Sequence, residues 1–194
     1  MFCGGTNNVA LTDDGVAMAQ AFATMYRHTP WKAVYASPLQ RAVHTAQATA
    51  NFTTHPVVID PALTEINYGA WDGLSAEVVD RDFHDDYVRW TADPAWNAPT
   101  DGETAVALAR RMLGVVERIT HATPHGDVLV VSHKAGIRTL LCALLGVDVG
   151  RFRFRFACPV ASVSIVEFGP RGPLALTVAD RSHLDARLRE LPGT

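Results

Sequence analysis

Apolar side chains recur at helical spacing over residues 13–26, where Val16, Ala19, Phe22, Ala23 and Tyr26 share one face. Thr12 is a good N-cap, Asp13 and Asp14 suit the first turn, and Pro30 closes the pattern. Ala33-Val34-Tyr35-Ala36 predicts a short buried strand. The next helix runs to residue 49, with Ser37 as its N-cap and Pro38 as its first residue. Val57-Val58-Ile59 predicts another strand, and residues 61–73 a loop. Residues 75–96 are polar and aromatic, with short helical pieces at best. An amphipathic helix spans 103–120, and 127–132 is the strongest strand pattern in the chain, β-branched and bounded by turn residues. A helix over 136–145 follows, then strands over 160–168 and 174–179 around a Gly/Pro turn.

Strands alternating with helices predict an α/β protein with a largely parallel sheet. Ligands of such sheets bind beyond the carboxyl ends of the strands. Two polar clusters fall there, Ser37 to Arg41 after one strand and Ser132-His133-Lys134 after another.

Composition narrows the classes without changing this picture. With 48% hydrophobic and 19% charged residues among 194, the chain is neither disordered nor fibrous, and its length suits one domain. A net charge of −3 argues against nucleic-acid or membrane partners, so any basic site is a local pocket. Cys3, Cys142 and Cys158 are scattered, with no C-x-x-C pair, so no zinc knuckle or redox motif is indicated. With no leader-like apolar stretch, a cytoplasmic location is expected.

Arg41 lies in the first turn of a helix that follows a strand, where unused amides and the helix dipole also favour a phosphate. A surface arginine is the plain alternative. His133 stands at a strand-to-helix junction, where an imidazole could carry a proton or steady an anion; a structural histidine is the alternative. Glu65 sits near Tyr68, Gly69 and Trp71, and a carboxyl group against aromatic rings holds its proton longer, as a general acid must. There is no G-x-S-x-G elbow, Walker loop or G-x-G-x-x-G after a strand. His121 and His125 have ligand spacing, but Pro124 interrupts the helix, so no metal is expected. Phe152, Phe154 and Phe156 alternate with Arg151, Arg153 and Arg155, predicting an edge segment that buries its phenylalanines and solvates most of its arginines.

Together these residues resemble the histidine phosphatase superfamily, the phosphoglycerate-mutase-like proteins. Ser37-Pro38-Leu39-Gln40-Arg41-Ala42-Val43-His44-Thr45-Ala46 is similar to its S-x-L-x-R-A-x-x-T-A motif. Residues from Glu65 to Gly73 are similar to E-x-x-x-G-x-W-x-G, and Val131-Ser132-His133 with Ile137-Arg138 to V-S-H-x-x-x-I-R. Thr100-Asp101-Gly102-Glu103 and Asp180-Arg181-Ser182-His183-Leu184 resemble two further segments, all in the family's order. The resemblance implies a three-layer α/β/α fold with a mainly parallel sheet, one domain over 1–194, and a cap-like insertion at 75–100. It implies phosphoryl transfer to a histidine followed by hydrolysis, on a small phosphate monoester, without metal or other cofactor. It assigns phosphate binding to Arg41, proton donation to Glu65, stabilisation of the transferring phosphoryl group to His133, and substrate contacts to Cys3, Gly4, Tyr68 and Lys134. A homodimer is admitted as well.

The resemblance departs at one point. The family's first strand leads into R-H-G-[EQ], whose histidine is the nucleophile, whereas residues 1–8 already resemble the loop after it. Arg27-His28 is the only R-H pair, and it lies at a helix end. The expectation is therefore a chain that, as it stands, lacks the nucleophile and a central strand, and is inactive and loosened unless another segment fills the gap. A misassigned start accounts for this; a non-catalytic phosphate-ester binder is the alternative. Chain length favours a phosphatase over a phosphoglycerate mutase. Lys134, where the family commonly has glycine, adds positive charge at the pocket mouth.

Overall fold

The computed structural model describes residues 1–191, so the last three positions of the expected 1–194 domain lie outside the described residues. Along the chain run α1 (Asp13–Met25), β1 (Ala33–Ala36), α2 (Gln40–Ala50), β2 (Val57–Ile59), α3 (Ala76–Asp82) and α4 (His84–Ala92). They are followed by α5 (Ala105–Ala122), β3 (Val128–Val131), α6 (Lys134–Leu144), α7 (Phe152–Arg155), β4 (Val163–Gly169), β5 (Gly172–Asp180) and α8 (Ala186–Glu190).

The sheet order is β2-β1-β3, all parallel, with Tyr35 opposite Val58 on one side and Val130 on the other. Alternation of side chains divides these strands between two faces. Tyr35, Val128 and Val130 pack toward Leu108, Met112 and Val115 of α5, while Val34, Ala36, Leu129 and Val131 surround Ala46 of α2. With α1 packed on α2 and α6 on α5, the sheet lies between helical layers, as expected for a three-layer α/β/α arrangement. Fully burying a side chain such as Val34, Leu108, Met112 or Val115 contributes about 1.5–3 kcal/mol, the main term holding the layers together.

The strands β4 and β5 form a separate antiparallel hairpin. No other described segment pairs with the outer edge of β3, and none of the four β3 residues is buried. Among the described residues the most apolar strand therefore keeps one unpaired edge.

Three local readings change. Ser37 does not cap α2, which begins at Gln40 after Leu39; the Gln40 amide instead donates to Asn8 Oδ1 at 2.7 Å. The helix after β3 starts at Lys134, so His133 is its N-cap residue. Residues 151–155 are helical, not an extended edge: Phe152 is buried, Phe156 just past the helix is half-buried, and Phe154 is 66% exposed. A helix puts i and i+4 on one face, and α6 offers that face a packing surface.

Candidate active site

Ser37 and His133 follow the carboxyl ends of neighbouring parallel strands, and a hydrogen bond joins them, 2.8 Å from His133 Nε2 to Ser37 Oγ. Arg41, in the first turn of α2, reaches the same imidazole: its Nε donates to Nδ1 at 3.2 Å. Because a guanidinium only donates, Nδ1 must accept, and the ring proton belongs on Nε2, where it is donated to Ser37. The tautomer is thus set from both sides. Burial above all, then the charges of Arg41 and Arg111, pull the His133 pKa down to about 3. His133 is accordingly neutral at neutral pH.

Arg41 also donates through Nη1 to the Asn7 carbonyl at 2.5 Å, which brings the first loop onto the cluster. Asp72 fastens that loop: the Gly4 amide donates to its Oδ1 at 2.6 Å, and the Thr6 amide and hydroxyl donate to its Oδ2. Gly4 is required by proximity, since a Cβ there would lie 2.8 Å from the Ile66 carbonyl oxygen. Cys3 is half-buried, its Sγ accepting from Asn7 Nδ2 at 3.3 Å.

Glu65 is only 6% exposed, and its carboxylate caps the start of α6. Oε2 accepts from the Ala135 amide at 3.0 Å; Oε1 accepts from the Gly136 amide at 3.0 Å and the Ile66 amide at 2.8 Å. Burial raises its pKa, opposed by those amides and by the charge of Arg41. A carboxyl group made more basic by burial is suited to hold and release a proton.

Arg111 on α5 was not singled out from the sequence. Its guanidinium donates to the carbonyls of Ala62, Thr64 and Glu65 at 2.8, 2.7 and 3.1 Å and is ion-paired with Glu103 at 2.6 Å. It thereby holds the backbone that carries Glu65. Its signal was its place on the buried side of an amphipathic helix after Glu103, where a cation needs partners. Ser37 was seen, but as a helix cap.

Tyr68 packs edge-on to Phe2 with centroids 4.9 Å apart, and burial raises its pKa, with Glu65 adding to the shift. Lys134 is exposed at the first position of α6. The structure therefore joins Arg41, Ser37 and His133 directly and brings Glu65 within range of the Arg41 charge. Cys3, Gly4 and Tyr68 lie in the adjoining loops, and Lys134 borders the cluster without a hydrogen bond among the described residues. A shallow cavity of about 350 Å³ opens beside Glu65, between Gly5, Thr64 and Arg111. A cavity of about 520 Å³ lies elsewhere, on the end of α1 by His28 and His183. Among the described residues no cluster of acidic, cysteine and histidine side chains could hold a metal ion, and no helix is long and apolar enough to cross a membrane.

Comparison with known proteins gives a consistent result. The family model described as histidine phosphatase superfamily (branch 1) matches residues 1–181. Phosphoserine phosphatase 1 of Hydrogenobacter thermophilus is 30% identical over 174 residues, covering 90% of this chain and 82% of that protein. The adenosylcobalamin/alpha-ribazole phosphatase of Salmonella typhimurium is 29% identical over 151 residues, 76% of this chain and 75% of that protein. Among solved structures, Bacillus stearothermophilus YhfR superposes with a TM-score of 0.86 at 24% identity, covering 94% of this chain and 90% of that one, a likeness of fold.

Proposed function

The chain belongs to the histidine phosphatase superfamily (branch 1), and from that membership we propose that it hydrolyses a small phosphate monoester through a phosphohistidine, without a metal. The observation that carries this reading is the 3.2 Å contact from Arg41 Nε to His133 Nδ1, which unites side chains 92 positions apart at the strand ends. A phosphate beside that pair would meet the guanidinium, and a donor if the Nε2 proton turned from Ser37 to the ligand. The nucleophilic histidine comes from a strand that adds to the free edge of β3, next to His133. Its ring nitrogen attacks phosphorus, the ester P–O bond breaks, and Glu65 gives its proton to the departing alkoxide. Water then attacks the phosphohistidine, the P–N bond breaks, and Glu65 takes back a proton. The 75–100 segment acts as a cap: Trp90 of α4 is buried against Trp71 and Tyr68 of the Glu65 loop, which ties it to the site.

A phosphate-ester binder without turnover is the second reading. It is favoured by His133 being the only histidine hydrogen-bonded to Arg41 or Ser37 among the described residues. Both readings are tested by assaying the whole gene product and the chain starting at Met1 on p-nitrophenyl phosphate with a chelator present. Turnover by the whole product, lost by at least 100-fold in Arg41→Met, is expected, with none from the shorter chain. Dependence on a divalent metal, or equal turnover by the short chain, overturns the proposed mechanism.

A further inference from the structure

Glu65 lies between β2 and α3, outside any strand or α-helix. From Ala62 to Asn67 each backbone carbonyl is held instead by a group distant in the chain. Arg111 takes those of Ala62, Thr64 and Glu65 at 2.8, 2.7 and 3.1 Å. Ser132 Oγ donates to the Leu63 carbonyl at 2.8 Å, and the Gly5 and Glu103 amides donate to those of Ile66 and Asn67 at 3.0 and 2.9 Å. No N–H of the Arg111 guanidinium is left over. Nη1 serves two of its carbonyls and Nη2 the third, while Nε and Nη2 donate to Glu103 at 3.1 and 2.6 Å. Glu103 also accepts from the Asn67 amide at 2.8 Å, so the pair closes on both ends of the segment.

The two ends of Glu65 are thereby anchored on different helices. Its carboxyl oxygens sit on the first amides of α6, and its carbonyl is tied through Arg111 to α5. The α6 amides fix where the carboxyl group rests but leave the backbone behind it free to swing, and Arg111 removes that freedom. A proton donor has to lie within hydrogen-bond reach of the leaving oxygen, and a misplacement of about 1 Å can cost roughly 100-fold in rate.

We propose that Glu103 and Arg111 are positioning residues for proton donation, holding the Glu65 backbone so that its carboxyl group meets the leaving oxygen. This rests on the phosphatase reading above and deepens it. As the ester P–O bond breaks, its electron pair stays with the leaving oxygen and the Glu65 proton moves there. Esters of weakly acidic alcohols need that proton most, so they are the ones that feel a displaced Glu65.

Phenyl phosphate and p-nitrophenyl phosphate differ in how readily their phenolate departs, and they test this in the whole gene product. Departure precedes hydrolysis of the phosphohistidine, so kcat/KM reports it. Arg111→Gln and Glu103→Gln should each lower kcat/KM on phenyl phosphate about tenfold more than on p-nitrophenyl phosphate. The inhibition constant of inorganic phosphate should stay as in the parent, since Arg41 is untouched. Glu65→Gln should show the same selective loss, and adding Arg111→Gln to it should cost little more. Arg111→Lys keeps the charge but not the planar fork, so it should lose about as much as Arg111→Gln. No loss, an equal loss on both esters, weakened phosphate inhibition, additive losses in the double variant or full recovery in Arg111→Lys overturns the proposal. Where Arg111→Gln fails to fold, Glu103→Gln, which keeps an acceptor for the Asn67 amide, decides by the same ratio. A parent protein inactive on both esters overturns the phosphatase reading and this proposal together, whereas an active parent whose variants lose equally on both esters overturns this proposal alone.

Discussion

The two strands β1 and β3 run side by side, yet their sequences and their surroundings are mismatched. Val34 and Ala36 of β1 are fully buried between paired neighbours, although Ala33-Val34-Tyr35-Ala36 is only moderately apolar. Val128-Leu129-Val130-Val131 is the more apolar and β-branched, but it occupies the edge and none of its residues is buried. Continuous aliphatic runs belong to strands enclosed on both faces and both sides, and a long apolar edge invites pairing with another strand. The difference teaches that the composition of β3 is that of an interior strand, and its free edge is where a further strand would restore the match.

The largest test of this contrast places a charge in each strand. Val34→Asp should unfold the protein, with a loss above about 4 kcal/mol, because a carboxylate there has neither partner nor water. Val128→Asp should cost about 1–2 kcal/mol, since at a half-exposed edge the carboxylate can reach solvent. Equal losses in denaturant unfolding would mean that β3 is as enclosed as β1.

A smaller effect concerns the tie between the strand ends. His133 is held neutral with its pKa near 3, against an ordinary value of 6.5. Below pH 6.5 the unfolded chain binds this proton and the folded chain does not, so stability falls as pH drops. From pH 6.5 to pH 5 the loss should be about 2 kcal/mol. Glu65 works in the opposite sense, since its raised pKa favours the folded state at acid pH. The comparison is therefore between the parent and His133→Asn, whose melting temperature should lack the His133 contribution. Identical pH profiles would show that His133 is not a neutral link between β1 and β3.

The smallest expected effect is in hydrogen exchange. Amides of β3 that face its free edge should exchange at least tenfold faster than β1 amides, a gap of about 1.4 kcal/mol in opening free energy. Addition of a strand to that edge should erase the gap.

Much of this was legible in the chain because local rules governed it. Thr12 as an N-cap, the strand at 33–36 and the placement of Arg41 and His133 after strands depend on neighbours a few positions away. Arg111 was not legible: its meaning comes from three carbonyls 46 to 49 positions distant. The Phe/Arg alternation at 151–156 misled for a related reason. A period of two predicts a strand, but packing on α6 selected a helix in which Phe152 is buried and Arg153 turns to Trp90. Ser37 was assigned a helix cap by its position before Pro38, whereas a partner 96 positions away holds its hydroxyl.

The oxygens of Glu65 that hold the amides of Ala135 and Gly136 are also the atoms on which a proton would sit. Proton affinity at Glu65 and the seating of α6 are therefore reciprocal: a proton taken up loosens the start of α6, and any movement of α6 away from Glu65 makes that carboxyl group more basic. Since His133 is the N-cap of that helix, a change at Glu65 would be felt at the imidazole as a shift in position and not only in charge.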